Sequence, residues 1–280
     1  MNIQNIIKEI EKVDPEVYGK LDTRRTAMRS FANISGKIAL AAVPLALGSM
    51  FQKAYAGPTG TLDTVVDILN YALTLEYLEA EFYADAIAAS GLIPAGDTLT
   101  GIKLIAKHEA EHVAFLKTAI GGAGGTPVAK PNFDFTAGGA FADVFSSFGT
   151  FLAVAQTFED TGVRAYKGRA AEIVQGGAYL TAALQIHSVE ARHAAHIRGL
   201  RKAYGSGVGN VKPWITGKMS GIASAAVQPS YDGEELTVQA GINIVNINGF
   251  AISADAASEA FDEPLTKAQV LAIVGPFIKP

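Results

Sequence analysis

Apolar residues recur at three- and four-residue intervals through the middle of the chain. In "TLDTVVDILNYALTLEYLEAEFYADAIAAS" they fall at Leu62, Val65, Leu69, Leu73, Ala80 and Ile87, the stripe of an amphipathic α-helix with one face on a core. Thr61 is the expected N-cap, and Gly91 with Pro94 the expected end. Similar spacing predicts a second helix from about Leu99 to Ile120, closed by Gly121 and Gly122. A third is expected from about Ala140 to Gln175 and a fourth from about Tyr179 to Tyr204. Between the second and third lies "GGAGGTPVAKPNFDFTAGG", a long joint containing Pro127 and Pro131, whereas the other two joints are short. This order predicts an all-α protein, a four-helix bundle over residues 61–204 made of two helical hairpins and a crossover connection. "GGAGG" has no strand before it and no suitable helix after it for a phosphate loop, so it reads as a flexible joint.

The pattern breaks on both sides of the bundle. Residues 1–56 carry the parts of an export signal: Arg24-Arg25 within "LDTRRTAMRSF", the apolar run Ile38 to Phe51, and the A-x-A-like Ala54, Tyr55 and Ala56 before Gly57. The run is short for a bilayer span and contains Pro44. The arginine pair resembles the twin-arginine class, with Ala27 and Met28 in place of the usual Phe-Leu. Export to the periplasm or cell envelope is the expectation; an attached amphipathic helix on a cytoplasmic protein is the alternative. Residues 205–280 form a mostly irregular extension, with a weak strand pattern in "GINIVNING" and a terminal helix in "TKAQVLAIVGPF" capped by Thr266 and Gln269. Trp214 and the apolar ends suggest packing on the bundle or on a neighbouring subunit.

Charged residues interrupt the helical stripes in a repeated way. The first helix has Glu76 and, seven residues on, Tyr83; the third has Glu159 and, seven residues on, Tyr166. The second has Glu109-x-x-His112 and the fourth Glu190-x-x-His193, where i and i+3 share a helix face. The glutamates of each half stand 33 and 31 residues apart, an internal pseudo-repeat. Each lies on an apolar stripe: Glu76 among Ala72, Leu73 and Ala80; Glu109 among Ile105, Val113 and Leu116; Glu159 among Leu152, Ala155 and Val163; Glu190 among Ala183, Ile186, Ala194 and Ile197. Four glutamates and two histidines should therefore point inward.

Four carboxylates in a dry core need compensation, since burying one unpaired charge costs several kcal/mol. Two divalent cations would balance them. The chain has no cysteine, which excludes disulfides, iron–sulfur clusters and thiol chemistry and leaves His, Asp and Glu as the strong ligands. Mixed oxygen and imidazole donors suit iron or manganese, and zinc is not excluded. Nearly half of the 280 residues are apolar, and a net charge of −4 gives no reason to expect nucleic acid.

Through "LNYALTLEYLEAEFY", "HEAEH", "TFEDTGVRAYKG" and "HSVEARHAAHIR" the chain resembles the ferritin-like superfamily, most of all its exported branch grouped with desiccation-related proteins. The resemblance spans roughly Leu62 to Lys202. It implies a ferritin-like bundle whose metal ligands are Glu76, Glu109, His112, Glu159, Glu190 and His193. It further implies that Glu109 and Glu190 bridge two metals, that Tyr83 and Tyr166 stand behind the ligands, and that the centre reacts with dioxygen or peroxide as a ferroxidase, peroxidase or catalase.

Other residues have competing readings. Glu79, three after Glu76, either shares the site or replaces Glu76, whose spacing to Tyr83 favours it. His187, three before Glu190, is either an added ligand or a packed histidine behind the site. Glu81 and Glu111 lie off the stripe, and His108 and His196 read as ordinary polar positions. Three functions fit: an exported non-haem dinuclear oxidoreductase; an envelope structural or stress-protection protein that keeps a metal without turnover; and, less well, a storage cage. Assembly into homo-oligomers is left open.

Overall fold

A computed structural model of the chain describes residues 63–173, 177–207 and 209–279. The expected export signal and Thr61 lie outside the described residues. Helix α1 spans Val65–Ala88 and is capped by Thr64 rather than Thr61. The Thr64 hydroxyl accepts from the amide of Asp67, whose carboxylate accepts from the Thr64 amide, a reciprocal pair that satisfies two free donors. The chain leaves α1 through Gly91, at φ +78°. Helix α2 spans Asp97–Gly122. Helix α3 is shorter than the periodicity predicts, Phe148–Ala170 instead of about 140–175. Residues 140–146 form turns, because Ser146 and Ser147 both donate back to the Asp143 carbonyl and Ser147 then caps α3 through its side chain. Helix α4 spans Gly177–Ala203.

Helices α1 and α2 pack as one hairpin and α3 and α4 as the other, with α1 meeting α3 and α2 meeting α4 across the bundle. Between them lie Leu73, Phe82, Ile102, Leu116, Phe151, Leu152 and Ile197, all nearly inaccessible. The four-helix, all-α architecture expected from the sequence is what the chain forms. No helix among the described residues is long and apolar enough to cross a membrane.

Helix α3 is buried almost all round, because the crossover and the C-terminal extension cover its outer side. Phe133, Phe135, Phe141 and Val144 of the crossover join the core, and the crossover is stitched to the chain end: Asp134 N donates to Phe277 O (2.8 Å) and Lys279 N to Asn132 O (2.9 Å). Helix α5 (Ala254–Ser258) and helix α6 (Lys267–Val274) belong to the extension, and Thr266 and Gln269 form the expected capping box. The weak strand pattern materialises only as a hairpin of two-residue strands, β1 (Val238–Gln239) and β2 (Ile242–Asn243). Val270, Val274 and Phe277 are buried, whereas Trp214 is half exposed.

Buried polar contacts hold this cover in place. Arg164 of α3 meets Glu234 at 2.6 Å and donates to the carbonyls of Ser230 and Glu263. Arg198 of α4 pairs with Asp160 at 2.5 Å, and Tyr231 donates to the same carboxylate at 2.9 Å. At Gly168 the Leu265 carbonyl comes so close that a Cβ would sit 2.0 Å from it, so only glycine admits the extension there.

Candidate metal centre

Glu76 on α1, Glu109 and His112 on α2, Glu159 on α3, and Glu190 and His193 on α4 converge in the middle of the bundle. All four glutamates are fully buried. Their donor atoms form two sets, each within 4.8 Å: Glu76, Glu109, His112 and Glu190 in one, and Glu109, Glu159, Glu190 and His193 in the other. Glu109 and Glu190 belong to both. The structure thus brings all six expected residues together in an arrangement that repeats the pseudo-symmetry of the sequence.

The distances suit donors around a common ion. Nδ1 of His112 lies 3.1 Å from Glu76, 3.2 Å from Glu109 and 3.3 Å from Glu190. Nδ1 of His193 lies 2.8 Å from Glu109, 3.4 Å from Glu159 and 3.6 Å from Glu190. Donors each about 2.1 Å from one metal are separated from one another by roughly 3 to 3.5 Å. Several of these atoms also lack a hydrogen bond: Glu109 Oε1, Glu159 Oε2, both oxygens of Glu190 and His193 Nδ1 are buried and unpartnered. Buried polar atoms are rarely left so, and here they point at one another's region without aligning as donor and acceptor. The donor set therefore fits divalent cations.

The tyrosines exchange partners across the bundle. Tyr83 of α1 donates to Glu159 Oε1 of α3 at 2.5 Å, and Tyr166 of α3 donates to Glu76 Oε1 of α1. Each of these glutamates gives one oxygen to a phenol and turns the other towards a histidine. Burial, with the carboxylates beside them, holds both phenols well above the usual tyrosine value.

The field of the cluster is strongly negative. Burial is the largest cause pushing Glu76, Glu79 and Glu159 well above the usual carboxylate value, and Glu190 adds to it. Burial opposes charge on the two imidazoles, yet the surrounding carboxylates outweigh it and push His112 and His193 up to about 12. Burial likewise opposes charge on Glu190, but the two facing imidazoles outweigh it and hold its carboxyl at about 2. The centre draws positive charge to itself.

The remaining residues separate clearly. Glu79 is buried but belongs to neither set. His187 joins neither set and meets the Val163 carbonyl of α3 at 3.0 Å, which makes it a packed histidine. Glu81 pairs with Lys130, and exposed Glu111 with Lys107. His196 is exposed and packs over Gly101. His108 departs from the sequence reading: its Nδ1 lies 3.0 Å from Nε2 of His193. Its position one turn before His112 put it near the correct face, a signal that the Glu-x-x-His motif overshadowed.

Two helical hairpins joined by a crossover, with four glutamates and two histidines gathered in the core, define the class of ferritin-like bundles. The chain belongs to that family: the family model for the ferritin-like domain matches residues 64–203. No curated protein matches the chain, and no solved structure does.

Proposed function

We propose that this is an exported protein with a dinuclear iron or manganese centre that reacts with dioxygen or peroxide. The observation that carries the reading is the sharing of Glu109 and Glu190 by both donor sets. Glu76, Glu109, His112 and Glu190 would hold one ion, and Glu109, Glu159, Glu190 and His193 the other. Bound there, iron or manganese would supply Lewis acidity and redox capacity towards oxygen species.

The chain's own residues do the rest. Tyr83 and Tyr166 fix the rotamers of Glu159 and Glu76, so each turns one defined oxygen inward. Glu79, a fifth buried carboxyl that lies with Glu190 against Gly162, would hold a proton on its own oxygen once two divalent cations balanced the other four. The Phe82, Phe151 and Phe158 rings close the Tyr83 end of the core against water. The enclosure of the centre also favours a second reading, a metal kept for stability in an envelope protein without turnover.

Elemental analysis of protein purified without added metal tests the site: about two iron or manganese per chain is expected. Glu109→Ala and Glu190→Ala should each abolish two-metal binding; unchanged stoichiometry would refute the assignment. Rapid peroxide decay or dioxygen uptake by the loaded protein separates turnover from the stabilising role. The export part rests on Arg24-Arg25, the Ile38 to Phe51 run and the Ala54 to Ala56 site. Envelope-fraction protein should begin at Gly57, and an intact N-terminus in the cytoplasm would overturn it.

A further inference from the structure

The two halves of the centre match in their glutamates, histidines and tyrosines but differ behind the histidines. Nε2 of His193 is met by Nδ1 of His108 at 3.0 Å, and the two rings lie edge to edge with centroids 5.2 Å apart and planes 14° from parallel. His108 precedes Glu109 by one residue and His112 by four on α2. The matching position on α4, one before Glu190 and four before His193, is Val189, which has no polar atom to offer. Among the described residues nothing hydrogen-bonds Nε2 of His112, whose side chain is 13% exposed against 5% for His193.

A neutral imidazole carries its proton on one nitrogen, and the hydrogen bond made by the outer nitrogen decides which. With its proton on Nε2 donated to His108, His193 presents a free Nδ1 lone pair towards Glu109, Glu159 and Glu190. The in-plane hydrogen bond between nearly coplanar rings also orients the plane of His193, so little orientation is left to be lost on binding a cation. His112 has neither constraint.

We propose that His108 is a positioning residue that makes the two metal positions inequivalent: it holds His193 in the tautomer and orientation that bind, so the position beside Glu159 fills first and holds its ion more tightly than the position beside Glu76. This rests on the dinuclear reading. It makes the His112 side the exchangeable half, where an ion can be taken up and released while its neighbour stays.

The test is a titration of chelated, full-length protein with Co2+, followed by its visible absorption, with circular dichroism confirming the fold of each variant. Wild type should fill in two resolved steps. His108→Phe keeps a ring of similar bulk but removes the acceptor, and should weaken the tighter step about 10- to 100-fold while leaving the weaker one unchanged. His108→Asn, whose side-chain oxygen can stand near the lost Nδ1, should restore the tight step to within a few-fold. His108→Ala, lacking ring and acceptor, should behave like the Phe variant or worse, and it decides the matter should the Phe variant not fold. Two equal steps in wild type, or an unchanged tight step in the Phe or Ala variant, would overturn the inference and leave the dinuclear centre standing. Uptake of fewer than two ions by wild type would instead overturn the dinuclear reading and this inference with it.

Discussion

The exchange of Tyr83 and Tyr166 between the two hairpins ties the orientation of each outer glutamate to the opposite helix. Tyr166→Phe would leave Glu76 Oε1 buried without its donor, and an unsatisfied buried acceptor costs about 1–3 kcal/mol. Thermal unfolding should show that loss for Tyr166→Phe and for Tyr83→Phe, together with weaker metal retention; wild-type stability in both would mean that the phenols do not support the carboxylates. The spacing of Glu76 to Tyr83 and of Glu159 to Tyr166 was legible in the sequence, because it repeats. The crossing of partners was not: helical periodicity says which face a residue occupies but nothing of which neighbouring helix its hydroxyl reaches. His108 escaped for a related reason, since its partner His193 is 85 positions away.

Helix α3 shows how an element's surroundings override its local sequence pattern. Its inward stripe of Leu152, Ala155, Glu159, Val163 and Tyr166 was readable by period. Its outward residues Gln156, Asp160 and Arg164 look like a solvated face yet are buried under the extension. No local pattern reveals a cover made by residues sixty or more positions later, so the ion pairs beneath it could not be seen in advance. Glu234 is the informative member of that cover. Burial pushes its carboxyl up to about 7, against the opposing attraction of Arg164. A folded-state value above the unfolded one means that the folded protein holds this proton more tightly. The resulting stability is fully present below about pH 4.5 and is lost as pH rises through about 7. Urea unfolding from pH 5 to 7.5 should therefore show wild type losing stability relative to Glu234→Gln as pH increases; parallel curves would show that Glu234 is already ionised throughout.

At the scale of the whole molecule, cations bound to the folded state alone stabilise it by mass action, about 2.7 kcal/mol for one site at a free concentration one hundred times its dissociation constant. Chelation should lower the unfolding temperature of wild type and leave that of Glu109→Ala or Glu190→Ala nearly unmoved, since both donor sets share these residues. The same scale separates the family's boundary from the folding unit's. The family model ends at residue 203, whereas the compact unit runs from Pro58 to Pro280. Cutting at 203 would strip Arg164 of Glu234 and Asp160 of Tyr231, and would remove Phe277 from its stack on Phe141 and its edge contact with Phe158. Breaking one buried ion pair by removing a partner costs about 3–5 kcal/mol, a large share of the 5–15 kcal/mol that holds a typical domain together. A chain of residues 58–203 should therefore aggregate or unfold, while residues 58–280 give a cooperative transition. Size-exclusion chromatography and circular dichroism of the two chains decide it: a soluble, cooperatively unfolding 58–203 would mean that the extension only decorates the bundle instead of completing its core.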